Sequence, residues 1–386
     1  MKRVKIYKFF IFLLIFAFFM VSKNVKCNLA YGFEDSDITA KSALLVDYET
    51  GTILYEKNSN ERLPIASMTK IASLAVVFDY MNKGIIKEND FVSVSESAAS
   101  VGGSSAFLDA GSKYKVGDLI KSVIIASAND STVALAEFVA GSEDIFVSKM
   151  NKLASNYDLK DTHFVNSTGL PVEGHYSSAN DLVKIYKLIC ENPIYKKYSK
   201  IWMTDFIHPT GRKTGLVNTN RLVKTFDGID GGKTGYTDKA KFCLIASATR
   251  GNTRLMGVVI GAENSKTRFS EMSKLFNFGF ANFESKQIID INVPVSIHKF
   301  KNAKNMVTVY PERNLIKFLP KTEEFIYSTD YEIFELKAPV KKGDEVGKIF
   351  VFDENNMVID EIPLVAGNDS LEVGFYESFD KILQNW

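Results

Sequence analysis

Between residues 67 and 262 the hydrophobic period changes once, from helical to strand-like, and that change constrains the fold more than any other feature of the chain. Ile71, Leu74, Ala75, Phe78 and Met81 recur at helical spacing, and Gly84 ends the run. Helical patterning resumes over residues 116–139, broken by the polar stretch Ser127-Ala128-Asn129-Asp130, and residues 178–190 read as a further helix. From Asn218 to Ala262 the runs LVKTF, KFCLIASATR and RLMGVVIGA read as a strand meander, with turns at Asp227–Gly232 and Gly251–Asn252. A helix over 267–283 closes the region, and SALLVDYETGTILYE upstream alternates as a β-hairpin turning at Glu49-Thr50-Gly51. These elements describe an α/β (α+β) domain over residues 36–284, with an antiparallel sheet flanked by helices.

After Ser285 the character changes. IIDINVPVSI, NMVTVYP, NLIKFLP, KIFVF and MVIDEIPLV are short β-rich runs, separated by turn signals at Pro311–Asn314 and Glu354–Asn356. They predict a small all-β domain over 285–371. With 386 residues, the chain has room for two domains. At the end, residues 372–386, Phe375, Phe379, Ile382, Leu383 and Trp386 share one helical face. Such a helix either lies in a membrane interface or docks on the β domain.

The first 30 residues form a separate unit. Lys2, Arg3, Lys5 and Lys8 precede an uncharged run from Phe9 to Val21. A bilayer-spanning helix needs about 20 apolar residues. The shorter run predicts a secretory signal peptide over 1–30, cleaved between Cys27 and Ala30, with an uncleaved short anchor as the alternative. Its removal leaves 41 basic and 46 acidic residues, net −5, which gives no reason to expect a nucleic-acid partner. Cys190 and Cys243 remain, both in apolar runs that suit buried free thiols, although an export compartment also permits a disulfide.

Three short motifs carry chemistry. Ser67-Met68-Thr69-Lys70 sets an amine one helical turn from a hydroxyl. A serine hydroxyl needs a base to become a useful nucleophile, and lysine serves when burial or a second cation, for which Lys233 is a candidate, lowers its pKa. Ser-x-x-Lys also begins at Ser112, Ser296 and Ser378, but only Ser67 follows Pro-Ile-Ala and opens an apolar helix. Ser127-Ala128-Asn129 offers a proton-passing hydroxyl and an amide able to donate and accept; a helix-capping turn is its bland reading. Ser-x-Asn recurs at Ser22 and Ser178. Lys233-Thr234-Gly235 offers a cation and a hydroxyl to a carboxylate, with a glycine that admits a substrate backbone. Lys213-Thr214-Gly215 reads the same, but sits in a loop-like stretch from His208 to Asn220, so the second copy is preferred.

Each motif alone is more often accident than function, whereas the ordered set is the one associated with penicillin-binding proteins and class A β-lactamases. With PIASMTK, SANDS, HFVNSTGL (163–170), HYSSANDL (175–182), NTNRLV (218–223) and DGGKTGYTDKA (230–240), residues from about Ala40 to Glu284 resemble a low-molecular-mass penicillin-binding protein of the D-alanyl-D-alanine carboxypeptidase family. The resemblance implies a β-lactamase/transpeptidase-like catalytic domain, with the region after 285 similar to that family's C-terminal domain. It implies a catalytic set: Ser67 as nucleophile, Lys70 as base, and Ser127 with Lys233 moving the proton to the departing D-alanine. It implies a binding set of Asn129, Lys233, Thr234, Gly235, Tyr236 and Arg268. The backbone N–H groups of Ser67 and Tyr236 would form the oxyanion hole, and Thr234 and Arg268 would take the terminal carboxylate. It further implies peptidoglycan stem peptides and β-lactams as partners, no cofactor, and a place on the extracytoplasmic face of the membrane or in the wall. The β-rich domain would then act as a spacer from the membrane.

Three rivals make different demands. A class A β-lactamase calls for a deacylating Glu-x-x-x-Asn between the second and third motifs, and none of Glu137, Glu143, Glu173 and Glu191 begins one. A zinc carboxypeptidase calls for clustered ligands, and His163, His175, His208 and His298 show no such spacing. An inactive wall-binding scaffold would have no need of all three motifs.

Overall fold

The computed structural model describes residues 35–374. The expected signal peptide and most of the C-terminal amphipathic segment lie outside the described residues. Strands β1 (Ser42–Asp47) and β2 (Ile53–Lys57) form the expected hairpin. A 3-10 turn, Ala66–Thr69, leads into the helix Lys70–Asn82, which stops just before Gly84 at φ +70°. From Lys70 to Phe78 every residue of this helix is buried, so its apolar character runs all round rather than along one stripe. Strands β3 (Phe91–Ser93) and β4 (Lys113–Lys115) then pair, and the helices Val116–Ala126 and Asn129–Ala140 follow, broken where predicted.

The helices Glu143–Asn156, Ala179–Cys190 and Pro193–Ser199 start on side-chain caps from Ser142, Ser178 and Asn192, each accepting from backbone N–H groups in the first turn. Ser178, the serine of a stray Ser-x-Asn, is therefore a cap. Strands β5 (Met203–Ile207) and β6 (Lys213–Val217) make a separate hairpin, so Lys213 lies on a strand and not in the expected loop. LVKTF is not a strand either. Asn220 Oδ1 accepts from Leu222 N at 3.2 Å and Phe226 N donates to Leu222 O at 2.9 Å, which winds Leu222–Thr225 into one helical turn. The asparagine side chain offers a local backbone partner that outcompetes the strand pattern.

Strands β7 (Ile229–Thr237), β8 (Lys241–Arg250) and β9 (Thr253–Ala262) are antiparallel neighbours. The expected turn at Asp227–Gly232 is shorter than predicted, because pairing already begins at Ile229. The main sheet runs β2-β1-β9-β8-β7 and is antiparallel throughout. One face packs on Ala179–Cys190 and the helices around Lys70–Asn82, the other on the helix Ser265–Asn282. Covered on both sides, β8 and β9 are continuously apolar instead of alternating. Cys190 and Cys243 are fully buried free thiols.

The C-terminal strands make a two-stranded ribbon of β10 (Phe283–Ile289) with β13 (Leu315–Pro320) and a five-stranded sheet. That sheet takes β11 (Ser296–His298), β12 (Val307–Pro311), β14 (Ser328–Ile333), β15 (Glu345–Phe352) and β16 (Val358–Ala366) in the order β11-β12-β16-β15-β14. Val307, Val309, Val346, Val351, Ile362 and Leu364 are its core. Glu372 makes an antiparallel bridge to Ala303 near the end of the described residues.

Phe276 is fully buried between helix Ser265–Asn282 and the sheet, beside Phe226 at 5.6 Å between ring centroids. Phe276→Ala is expected to cost about 3–5 kcal/mol, read as a lower urea midpoint in chemical unfolding.

Candidate active site

Ser67 sits half-buried in the 3-10 turn that opens the long helix, directly after Ala66, which holds a left-handed φ of +48°. One turn on, Lys70 is completely buried. Its Nζ donates to Ser67 Oγ at 2.9 Å and to the Thr168 carbonyl oxygen at 2.7 Å. Burial, and then the charge of Lys233, hold the Lys70 amine well below the usual lysine range. The charged form is thus disfavoured relative to an exposed lysine, and the nitrogen lies against a serine hydroxyl.

The loop over Lys70 is pinned from several sides. Ser73 Oγ donates to Ser167 O at 2.6 Å, and Glu143 accepts from Ser167 N at 2.9 Å and from its hydroxyl at 2.6 Å. Asn166 Oδ1 accepts from Gly169 N at 2.7 Å. Gly169 has φ +82°, and a Cβ there would lie 1.9 Å from the Ala66 carbonyl oxygen, so only glycine fits.

Ser127 ends the helix Val116–Ala126 in a left-handed conformation, φ +64°, and is almost wholly buried. Its side chain caps no helix; Ser127 Oγ accepts from Lys233 Nζ at 2.7 Å. Asn129 opens the next helix, with Nδ2 donating to Gly102 O at 2.6 Å and a buried Oδ1 that has no partner. Asp130 is a member of the site frame that motif reading passed over. Its carboxylate accepts from Ala106 N, Leu108 N and Ser131 N at 2.8–3.0 Å and from Ser105 Oγ at 2.6 Å, which ties the loop over Asn129 to the helix N-terminus. An anion in the first turn suits the helix dipole. The sequence signal for it was its place just inside the start of the helix.

Strand β7 lies at the edge of the main sheet and carries the third motif past Ser67. A Cβ on Gly235 would lie 2.6 Å from Ile65 O and 3.3 Å from Met68 N. This glycine is thus required by the close approach of the protein's own Ser67 turn, a reason other than the substrate backbone invoked from sequence. Lys233 is buried, its Nζ also donating to Thr234 O at 2.9 Å. Burial, and then the Arg268 charge, lower its pKa to about 7. Thr234 Oγ1 donates to Thr219 Oγ1 at 2.7 Å. Tyr236 is half-exposed, with its ring 4.4 Å from that of Phe242. Arg268 donates to Gly235 O and Cys243 O, both at 3.2 Å, and its buried Nε has no partner. It borders a cleft of about 640 Å³, also lined by Trp202, Thr219, Arg221 and Lys224, which gives that cleft three cations and no acid.

The structure therefore brings Ser67, Lys70, Ser127, Asn129, Lys233 and Thr234 into one neighbourhood. The other Lys-Thr-Gly lies apart from it: Lys213 faces Asp205 at 3.6 Å, and Thr214 Oγ1 meets His208 Nε2 at 2.8 Å. The four histidines are spread over separate contacts. His163 meets Gly174 O, His175 meets Thr69, His208 meets Tyr114, and His298 lies edge-on to Phe300.

Compared with known proteins, residues 30–264 match the family model described as D-alanyl-D-alanine carboxypeptidase, and residues 283–371 match that of the penicillin-binding protein 5 C-terminal domain. The chain is 41% identical over 350 residues to the D-alanyl-D-alanine carboxypeptidase DacF of Bacillus subtilis (strain 168), with 90% of each chain covered. It is similar to the crystal structure of penicillin binding protein 5 from Haemophilus influenzae, at TM-score 0.68 and 34% identity, covering 88% of this chain and all of the other. A Streptomyces K15 DD-transpeptidase structure matches at TM-score 0.59 and 30% identity, covering 63% of this chain and 98% of the other.

Gly169→Ala is expected to push the Thr168 carbonyl off Lys70 and the Ala66 turn out of place. The misplacement should slow acylation by a chromogenic β-lactam by on the order of 10²-fold, measured in single-turnover kinetics.

Proposed function

The chain belongs to the D-alanyl-D-alanine carboxypeptidase family, and from that membership we propose that it removes the terminal D-alanine of peptidoglycan stem peptides through an acyl-enzyme on Ser67. It is a serine-type hydrolase. The observation that carries the assignment of roles is a fully buried Lys70 whose nitrogen lies 2.9 Å from Ser67 Oγ.

In this reading neutral Lys70 takes the proton as Ser67 Oγ attacks the carbonyl carbon between the two terminal D-alanines. The backbone N–H groups of Ser67 and Tyr236 stabilise the oxyanion; losing one such donor costs on the order of 10²–10³ in rate. The proton passes through Ser127, backed by Lys233, to the amine of the departing D-alanine. Asn129 holds a substrate amide, which the unpartnered Oδ1 supports. Thr234 and Lys233 meet the terminal carboxylate; Thr234 is hydrogen-bonded to Thr219, which lines the neighbouring cleft whose cations are Arg221, Lys224 and Arg268. Water then hydrolyses the ester. A β-lactam acylates the same serine and leaves slowly.

Of the acids weighed for a β-lactamase, Glu137 accepts from Ser95 Oγ at 3.0 Å, Glu143 is engaged by Ser167, and Glu191 pairs with Arg254 and Lys196. The fourth, Glu173, is exposed, and slow deacylation is read from the missing Glu-x-x-x-Asn together with these engagements.

The proposal extends to the rest of the chain. Residues 1–30 direct export to the extracytoplasmic face, residues 36–284 form the catalytic domain, and the β domain over 285–371 holds it away from the membrane. The K15 relative supports a self-sufficient catalytic part, since almost all of it is covered by 63% of this chain. A chain ending at residue 284 is therefore expected to keep its activity on a soluble D-alanyl-D-alanine peptide, measured as D-alanine release; loss of activity in a folded truncation rejects the spacer role.

The central test is mass spectrometry of the penicillin adduct together with its deacylation rate. The expected result is one long-lived adduct on the Ser67 peptide, absent in Ser67→Ala, and D-alanine release that the same substitution abolishes. Rapid turnover of the β-lactam would mean a β-lactamase, and no adduct at all an inactive scaffold. A pH profile tests the base. Lys70 acts as base only when deprotonated, so acylation falls with pH through its depressed pKa. Lys233→Met removes a cation that holds Lys70 down, so the acidic limb of the residual rate moves to higher pH.

A further inference from the structure

We propose that His175 is a positioning residue for the nucleophile, acting through Thr69 on the turn that presents Ser67. The inference rests on Ser67 being the nucleophile.

The hydrogen bonds form one directed chain. Val165 N donates to His175 Nδ1 at 3.2 Å, so that nitrogen is the acceptor and carries no proton. The proton is then on Nε2, which lies 2.8 Å from Thr69 Oγ1 and donates to it. Thr69 has one hydroxyl proton, and Oγ1 donates it to Ala66 O at 2.8 Å. Every donor in the chain is used once, and the last acceptor is the carbonyl of the residue just before Ser67.

That residue needs holding. Ala66 has φ +48°, a conformation that a residue with a Cβ adopts only where its surroundings enforce it. Its carbonyl oxygen is the atom that crowds Gly169, and the same glycine position faces Thr69 Oγ1. His175 is 8% exposed and Thr69 fully buried, so water does not compete for these groups. Burial, and then neighbouring His163, lower the His175 pKa to about 4, which keeps the ring neutral at neutral pH. The Phe164 ring packs edge-on at 5.8 Å and limits rotation of the imidazole. His175 touches neither Ser67 nor Lys70 in this arrangement; it sets the hydroxyl that sets the carbonyl.

The test compares four variants of the full chain: His175→Leu, His175→Gln, Thr69→Val and the double variant His175→Leu/Thr69→Val. Each is assayed for its β-lactam acylation rate constant, its non-covalent binding constant and its thermal midpoint. His175→Leu is expected to lower the acylation rate constant roughly 10–10²-fold with the binding constant unchanged. His175→Gln can place an amide N–H near Thr69 and is expected to recover most of the rate. Thr69→Val should reproduce the loss, and the double variant should lose no more than either single one, because the groups act as one chain.

Wild-type acylation in His175→Leu overturns the proposal, as do additive losses or a folded His175→Gln that fails to rescue. If His175→Leu does not fold, Thr69→Val and His175→Gln decide in the same way: wild-type acylation in the first, or a Leu-like loss in the second, rejects it. An adduct on a residue other than Ser67 in the unaltered protein would instead reject the underlying reading of the nucleophile.

Discussion

A lysine with no exposure to water is the constraint on which the rest of the site depends. The charged form of Lys70 is costly inside the protein, and the charge of Asp130 offsets that cost less than burial and Lys233 add to it; its hydrogen-bond partners are a serine hydroxyl and a backbone carbonyl. Burial holds the Lys70 pKa well below the usual lysine range, and keeping the amine buried dictates the surroundings. The loop 163–170 must close over the amine, Gly169 must let it close, and the long helix must be buried all round. Lys233 repeats the arrangement on the neighbouring strand with a second serine, Ser127. Two buried amines, each paired with a serine hydroxyl, thus stand within electrostatic reach of each other in the site.

What the sequence makes readable follows from range. Motifs and periods are local, so the helix opened by Ser67, the break at Ser127–Asp130 and the strands on either side of Gly251 can be placed from neighbouring residues alone. Failures occur where a partner far along the chain decides. Gly235 looks like a concession to substrate, yet it is crowded by Ile65, which lies on the opposite side of the domain in sequence. LVKTF is misread for a local reason instead: it has strand composition, but the side chain of Asn220, two residues before Leu222, reaches Leu222 N and winds the segment into a helical turn. The first Lys-Thr-Gly and the second are the same tripeptide; only the approach of Ser127 separates them. Asp130 sits in a recognisable segment, while its four donors come from a loop more than 20 residues upstream and from its own neighbour.

The sheet explains how these distant pieces are held in place. Its central strands are covered on both faces, and a close-packed interior has few alternative arrangements. Strand β7 inherits that rigidity on one side through β8, and on the other lies against the Ser67 turn. At its start Asp230 is paired with Arg254, Ser199 donates to the Asp230 carbonyl oxygen, and Tyr195 accepts from Gly232 N, so the strand cannot slide along its neighbour. A site on a sheet edge thereby gains the precision of a site in a core.

The two cysteines share that interior. Burial pushes the Cys190 thiol up to about 12 and the Cys243 thiol up to about 11, so neither offers a thiolate near neutral pH. Oxidants and alkylating agents act on thiolates they can reach. Among the described residues, these two thiols are therefore shielded from the redox state of the compartment while the domain stays folded. Any labelling of these thiols counts openings of the fold, which turns two silent residues into an internal clock for how often the domain comes apart.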